Sequence, residues 1–241
     1  MSATDSIITQ VRAALEREPR INLHRYPVEV SVSNGDFVLA GEVEHIVAKK
    51  LVLELAARTP GVGTIVDRIR VAPAQPMGDG AVRDHIRDAF LQESTLTNCM
   101  LSIRDKGQTT TVREASGESS AAIEVQVEDG VVTLNGQVPS LSHKRIAGVL
   151  AWWVPGSRDV VNGLEVLPPM EDRDEEMTEA VNLVLKKNPF VDASQIRVST
   201  HNSVVTLDGL VTNETEKRMA EFDAWYIFGV DAVMNQLAVR E

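Results

Sequence analysis

One segment of the chain occurs three times without a gap, and this repeat restricts the possible folds more than any other feature. Each copy has a glycine in a valine-rich stretch, a second glycine twenty positions later, and two apolar residues eight and ten positions after that. The glycines are Gly41 and Gly61, Gly136 and Gly156, and Gly209 and Gly229. A gap-free recurrence of this kind predicts three related structural units.

The segment around the first glycine of each copy predicts a β-hairpin. Apolar and polar residues alternate upstream, as in a strand with one buried face. A turn follows at 34–35, 129–130 and 202–203, where the first two copies have Asn-Gly and Asp-Gly, the preferred dipeptides of type I′ turns. The returning strand, VVTLNGQV at 131–138, has Gly136 on its apolar face. We expect this glycine to leave room for the helix that follows.

Helices are expected before and after each hairpin. Residues 44–58, 140–154 and 213–227 are rich in helix-forming residues and end at Pro-Gly or Phe-Gly. Apolar residues at helical spacing precede each hairpin, and a last strand follows the second helix. Each unit is therefore predicted to be α-β-β-α-β, an α+β fold with a three-stranded mixed sheet and two helices on one face.

The predicted units are residues 4–72, 79–167 and 173–241, joined by short proline-containing spacers. Small units bury limited cores, so packing between units is expected. The second unit contains an insertion at about 98–122. Its first part predicts a hairpin that turns at Asp105-Lys106-Gly107, and its Ser/Gly-rich end predicts a loop. A long insertion of this kind is functional or disordered, and the sequence leaves both open.

Composition excludes several classes of function. The net charge of −11 argues against binding of nucleic acid or anionic lipid, since both need a cationic surface. The longest apolar run, at 146–157, is too short for a transmembrane segment. The N-terminal residues do not resemble a secretory signal, and the single Cys99 rules out an internal disulfide. A cytoplasmic location is expected.

The three copies together resemble the BON domain. The segments that carry the resemblance are NGDFVLAGEV…PGVGTIVDRIRV, DGVVTLNGQV…PGSRDVVNGLEV and NSVVTLDGLV…FGVDAVMNQLAV. An asparagine in the last strand is present as Asn162 and Asn235, whereas the first copy has Asp67. The resemblance implies relatives among osmotic and general stress proteins of the bacterial envelope and channel-associated proteins, with proposed phospholipid binding and no enzymatic activity.

No residue pattern indicates catalysis or metal binding. The histidines are scattered and lack paired ligand spacing. Ser142-His143 has neither a nucleophile elbow nor a third partner, and Cys99 has no neighbouring base. The acidic run from Glu171 to Glu176 is interpreted as the start of a helix. We therefore predict no catalytic, metal-binding or cofactor-binding residues, no cofactor, and a protein that is not an enzyme.

Aromatic residues are concentrated late in the second helices of copies two and three. They include the candidate partner-binding residues Trp152, Trp153, Trp225 and Tyr226. Ala57 occupies the position of Trp152 and Trp225 in the first copy, so a unit does not need this tryptophan to fold. These side chains either pack within or between units, or form a patch that faces a partner.

The sequence favours a non-enzymatic, stress-associated scaffold that acts through contacts with another protein or through self-association. Small sheets with open edges suit such contacts. The alternative is peripheral phospholipid binding through a helix face or the insertion.

Overall fold

The computed structural model describes residues 3–116 and 120–240. The chain divides after Pro73 into two compact units. The first repeat forms one unit, and the second and third repeats together form the other. Each repeat contains the expected order of helix, strands, helix and strand, so the α+β class and the tandem arrangement are confirmed.

The first repeat contains one three-stranded sheet and two helices. Its elements are α1 (Ala3–Glu16), β1 (Val28–Ser33), β2 (Asp36–Val43), α2 (Ile46–Ala57) and β3 (Ile65–Val71). Strand β2 lies in the middle, antiparallel to β1 and parallel to β3. The hairpin turns through Asn34 and Gly35, both at positive φ, as the Asn-Gly dipeptide predicts.

The second repeat has a larger sheet than predicted. Its elements are α3 (Asp79–Gln92), β4 (Met100–Asp105), β5 (Gln108–Arg113), β6 (Ala122–Glu128), β7 (Val131–Val138), α4 (Leu141–Trp153), β8 (Asp159–Asn162) and β9 (Glu165–Val166). The strand order is β5-β4-β6-β7-β8, with β9 also beside β7. The prediction of three strands is therefore wrong for this repeat, because the insertion adds β4 and β5.

The insertion forms the predicted hairpin, which turns through Lys106 and Gly107. Strand β4 runs parallel to β6 and buries Leu101 completely in the core of the repeat. The guanidinium group of Arg113 donates hydrogen bonds to the backbone carbonyls of Leu96 and Cys99, in the segment between α3 and β4. The Ser/Gly-rich end of the insertion includes residues 117–119, which lie outside the described residues.

The third repeat lacks the inserted hairpin, and its sheet has four strands because the last strand is divided in two. Its elements are α5 (Asp174–Lys187), β10 (Ile196–His201), β11 (Val204–Val211), α6 (Glu214–Trp225), β12 (Ala232–Asn235) and β13 (Ala238–Val239). Strand β10 is antiparallel to β11, and the short strands β12 and β13 are both parallel to β11.

The first repeat glycine does not make room for a helix, and that prediction is wrong. A Cβ atom on Gly136 would collide with the carbonyl oxygen of Ala122 on the paired strand β6, and φ of Gly136 is +122°. A Cβ atom on Gly41 or Gly209 would likewise collide with a backbone carbonyl, that of Pro27 or Gln195, directly before the paired strand. The glycine is needed for close approach of two strands.

The second repeat glycine is the one that accommodates a helix. A Cβ atom on Gly61 would meet Ile7 of α1, and one on Gly156 would meet Val82 of α3. On Gly229 the added atom would meet the side chain of Met177 in α5. The first helix of each repeat therefore packs against this glycine.

The last strand of each repeat is linked to the second helix by a polar side chain. The Asn162 amide donates to the backbone carbonyl of Lys144 at 2.8 Å, and Asn235 makes the equivalent hydrogen bond. In the first repeat Asp67 instead forms an ion pair with the buried Lys49 ammonium at 2.9 Å. Both solutions fix the same strand to the same helix.

Candidate functional site

The second and third repeats meet along a contact that we call the seam. The seam is formed by Arg145, Trp152 and Trp153 from the second repeat, Asp172 from the connection, and Asn188, Asp223, Tyr226 and Phe228 from the third repeat. Most of these residues belong to α4, α6 or the segment directly after α6. The seam combines a buried carboxylate, a buried guanidinium and stacked aromatic rings.

A buried hydrogen-bond network lies at one part of the seam. Asp223 is 2% exposed and accepts from the indole N–H of Trp153 at 2.8 Å and from the Asn188 amide at 2.7 Å. Burial raises the pKa of Asp223 to about 6, against the opposing effect of these two hydrogen bonds. The two donors satisfy both carboxylate oxygens, which compensates part of the cost of burial.

Arg145 also connects α4 to the third repeat. Its side chain is 2% exposed, donates to the Phe228 carbonyl at 3.2 Å and forms an ion pair with Asp172. The neighbouring Lys144 ammonium lies 4.0 Å from the centroid of the Phe228 ring. Burial lowers the pKa of Lys144, and the negative charge of Glu165 opposes that shift.

The predicted aromatic residues pack within this unit. The rings of Trp152 and Tyr226 stack with centroids 5.3 Å apart, and Trp153 bonds to Asp223 as described. Burial and the charge of Asp223 raise the pKa of the Tyr226 hydroxyl. Trp225 is buried, and its indole nitrogen has no hydrogen-bond partner among the described residues. Packing within and between repeats is thus observed, and a role in partner binding stays a prediction.

An ion pair adds a further contact between the repeats. The Lys187 ammonium at the end of α5 lies 2.9 Å from the carboxylate of Glu93, which follows α3. Burial favours the neutral form of Glu93, but hydrogen bonds from Lys187 and Thr95 hold its pKa below the ordinary value. Glu93 also caps the short 3-10 helix that begins at Ser94.

A groove of about 850 Å³ opens beside the seam, between α4 and α5. Its apolar lining includes Leu141, Ile146, Met170, Leu183 and Val184, and its polar lining includes Ser142, Arg145, Glu176, Glu179, Asn182 and Lys186. Leu183 and Met170 are each 43% exposed at the mouth of the groove. This is the surface in which exposed apolar side chains and a concave shape coincide, and we take it as the candidate site.

The acidic run before and within α5 has structural partners. Asp172 pairs with Arg145, and Asp174 accepts hydrogen bonds from the backbone amides of Asn202 and Ser203. These amides lower the pKa of Asp174. The interpretation of the run as a helix start is confirmed, because α5 begins at Asp174.

His143 and Cys99, the side chains considered for catalysis, have neighbours that stabilise the fold. His143 lies 2.7 Å from the hydroxyl of Ser140, which caps α4, and burial lowers the pKa of His143. Burial raises the pKa of the Cys99 thiol, against the charge of Arg113, which disfavours the reactive thiolate. Within residues 3–116 and 120–240, no group of three or more His, Cys, Asp or Glu side chains is placed to hold a metal ion.

Sequence reasoning missed Asp223, Arg145 and the other charged members of the seam. Asp223 occupies the repeat position that holds Leu55 and Leu150 in the other copies. A carboxylate at an otherwise apolar repeat position was a detectable signal of a polar contact between repeats. No comparable signal marked Arg145, because lysine and arginine occupy its position in the other copies as well.

Comparison with known proteins identifies the repeats. The BON domain profile matches residues 3–73, 104–168 and 173–241. The Osmotically-inducible protein Y of Escherichia coli (strain K12) is 29% identical over 127 residues, which cover 50% of this chain and 63% of that protein. The chain therefore spans less than two thirds of the length of this relative.

Two solved structures of CdsD, a structural protein of the type III secretion system of Chlamydia trachomatis, are also similar. The C-terminal domain is 15% identical with full coverage of both chains and a TM-score of 0.26. The second structure is 16% identical, covers 98% of this chain and 94% of its own, and has a TM-score of 0.24. In the described part of the chain, no helix has the length and apolar character needed to cross a membrane.

Proposed function

The chain belongs to the BON domain family, and from this premise we propose that it is a non-enzymatic scaffold that binds a protein partner under stress. The link to stress rests on the similarity to the Osmotically-inducible protein Y. A cytoplasmic location is part of the same proposal.

The groove between α4 and α5 is the observation that carries the proposal. Leu183 and Met170 offer exposed apolar surface, while Glu176, Glu179 and Lys186 surround it with charge. An apolar centre with a charged rim is the usual composition of a protein-binding surface.

The seam supports the groove because it fixes α4, one of its two walls, while the ion pair of Lys187 with Glu93 holds the end of α5, the other wall. Arg145 of α4 bonds to Asp172 and to the Phe228 carbonyl, and Trp153 at the end of α4 bonds to Asp223. A surface whose walls are already held in place loses less conformational entropy when it binds. The geometry therefore favours a partner that recognises both repeats at once.

Charge favours protein over anionic lipid as the occupant of the groove. The carboxylates of Glu176 and Glu179 balance the cations of Arg145 and Lys186 in its lining, so the groove has no cationic excess, and the chain as a whole carries a net charge of −11. An anionic membrane attracts cationic surfaces, and the groove offers none, while the net charge of the chain opposes such binding.

Affinity capture from the native cell before and after osmotic shock tests the proposal. Leu183→Glu places a charge at the mouth of the groove and is expected to abolish partner capture. Leu210→Glu is the matched control, since Leu210 is 46% exposed on β11 and does not line the groove. Capture of the same proteins by both variants and the native chain would rule the groove out.

Liposome flotation tests the lipid alternative with neutral and anionic vesicles. We expect the native chain to remain unbound to both. Flotation that is lost in Leu183→Glu and retained in Leu210→Glu would assign the groove to lipid instead of protein.

A further inference from the structure

Strand β10 is an edge strand of the sheet in the third repeat. The equivalent strand of the second repeat, β6, lies inside its sheet. Counting from the repeat glycines, Ile196 and Val198 of β10 correspond to Ile123 and Val125 of β6. Strand β6 is paired on its outer side with β4 of the insertion. Within the described residues, β10 pairs with β11 alone.

The outer side of β10 pairs with no strand of the described residues, and a groove of about 540 Å³ lies beside the first half of β10, next to residues of β11 and α5. It is lined by Asn182, Ser194, Gln195, Ile196, Arg197, Val198, Asp208 and Gly209. In the second repeat the corresponding side of β6 is covered by β4, which places Leu101 opposite Ile123 and Ile103 opposite Val125. The second repeat thus shows that an added parallel strand can cover this side of the sheet.

In the first repeat the equivalent edge strand is β1, and an arginine side chain contacts it. The Arg12 guanidinium of α1 donates to the carbonyl of Val30 at 3.4 Å, and Val30 corresponds to Val198. In α5 the residue at the place of Arg12 is Asn182, whose amide donates instead to Thr178 in its own helix. The third repeat therefore has neither the covering strand of the second repeat nor the arginine contact of the first.

A strand that pairs with β10 should differ in charge from β4, because β10 carries a different charge from β6. Glu124 of β6 contacts the insertion hairpin through Arg104 at 3.6 Å and through the Thr109 hydroxyl at 2.9 Å. The residue equivalent to Glu124 in β10 is Arg197, and it is exposed. A strand beside β10 should therefore carry a carboxylate where β4 carries Arg104.

We propose that the β10 edge binds an extended, acidic segment of a protein partner as an added parallel strand. The segment alternates apolar residues, as Leu101 and Ile103 of β4 do, and places a carboxylate beside Arg197. The inference rests on the proposed function and specifies the chemistry of the partner. Parallel self-pairing of β10 in register is disfavoured, because it brings two copies of Arg197 together.

Fluorescence anisotropy with two labelled peptides tests the proposal on the full chain. One peptide has the β4 sequence Met-Leu-Ser-Ile-Arg-Asp, and the other carries Arg104→Glu. We expect the acidic peptide to bind about fivefold more tightly, as for an exposed charge pair. Arg197→Glu in the protein should reverse this preference, and Arg218→Glu, an exposed charge on α6, should leave it unchanged.

Amide NMR spectra of the labelled chain locate the bound peptide. Shifts concentrated at residues 195–199 support the inference. It is overturned by absence of binding, by an affinity that ignores Arg197→Glu, by shifts confined to other strands, or by a dimer in sedimentation that Arg197→Glu dissociates. The two proposals fail separately, since partner capture depends on Leu183 and peptide binding depends on Arg197.

Discussion

The first repeat and the pair formed by the second and third repeats use one fold in two ways. The glycines that let strands and helices approach closely are present in all three copies. The residues late in the second helix differ: Ala57 in the first repeat corresponds to Trp152 and Trp225, and Leu55 corresponds to Leu150 and Asp223. Shared positions thus form each repeat, and the differing ones join the second repeat to the third.

Charged side chains show the same division. Lys49 of α2 is buried inside the first repeat and pairs with Asp67 of β3 in the same repeat. Arg145, one position further along the equivalent helix, instead crosses from the second repeat to Asp172 and Phe228. Basic residues occupy both helix positions in all three copies, and they serve a contact inside the first repeat but a contact between repeats in the second.

The largest expected effect comes from a shared position. Gly136→Ala should lower the free energy of unfolding by about 4 kcal/mol, because the new methyl group meets a backbone carbonyl at a strained φ. Gly107→Ala is the control: φ is also positive, but no atom lies within 4 Å of the added Cβ. Chemical denaturation should show a loss of only about 1 kcal/mol there. Equal losses would mean that the contact with β6 is unimportant.

Asp223 should make the stability of the protein depend on pH, whereas Leu55 and Leu150 at the same repeat position do not titrate. Its folded-state pKa of about 6 exceeds the ordinary value of 3.8, so the folded protein binds this proton more tightly than the unfolded chain does. The resulting stabilisation is complete below about pH 4, is lost as pH rises through about 6, and amounts to about 3 kcal/mol.

Denaturation of the native chain and Asp223→Asn between pH 4 and 8 measures this contribution. The difference between the two stabilities should shift in favour of the native chain as pH falls. A difference that is constant over this range would show that Asp223 does not titrate with a raised pKa.

A smaller effect is expected at Arg145. Arg145→Met should cost about 2 kcal/mol, because Asp172 and the Phe228 carbonyl lose a charged donor in a largely buried setting. Arg218 occupies the same repeat position and is exposed, so Arg218→Met should change stability by less than about 0.5 kcal/mol. Thermal unfolding of both variants compares them directly. Similar losses of stability in the two variants would contradict a contact between repeats at Arg145 that Arg218 does not make.

Much of the fold could be predicted because it depends on local sequence. Alternating apolar residues, turn dipeptides and helix stops indicated the order of elements in each repeat, and Lys106-Gly107 indicated the insertion hairpin. The pairing of β4 with β6 could not be predicted, since parallel pairing depends on contacts far apart in sequence. The role of Gly136 was misjudged for a similar reason, because the restricting atom belongs to the adjacent strand.

The seam beside the candidate site was less predictable than the fold. The aromatic residues Trp152, Trp153 and Tyr226 drew attention to the correct helix ends, but their partners Asp223 and Asn188 did not form a motif. A buried polar contact between repeats requires convergence of side chains from several elements, which spacing alone does not show.

A double-mutant cycle across the seam tests most directly whether the second and third repeats are held together as described. Trp153→Phe removes the indole donor, and Asp223→Leu introduces the residue that the other two repeats carry. We predict a coupling energy of about 1–3 kcal/mol in denaturant unfolding of the full chain, while Trp153→Phe and Arg218→Met should be additive. Additivity of Trp153→Phe and Asp223→Leu within about 0.5 kcal/mol would contradict the account.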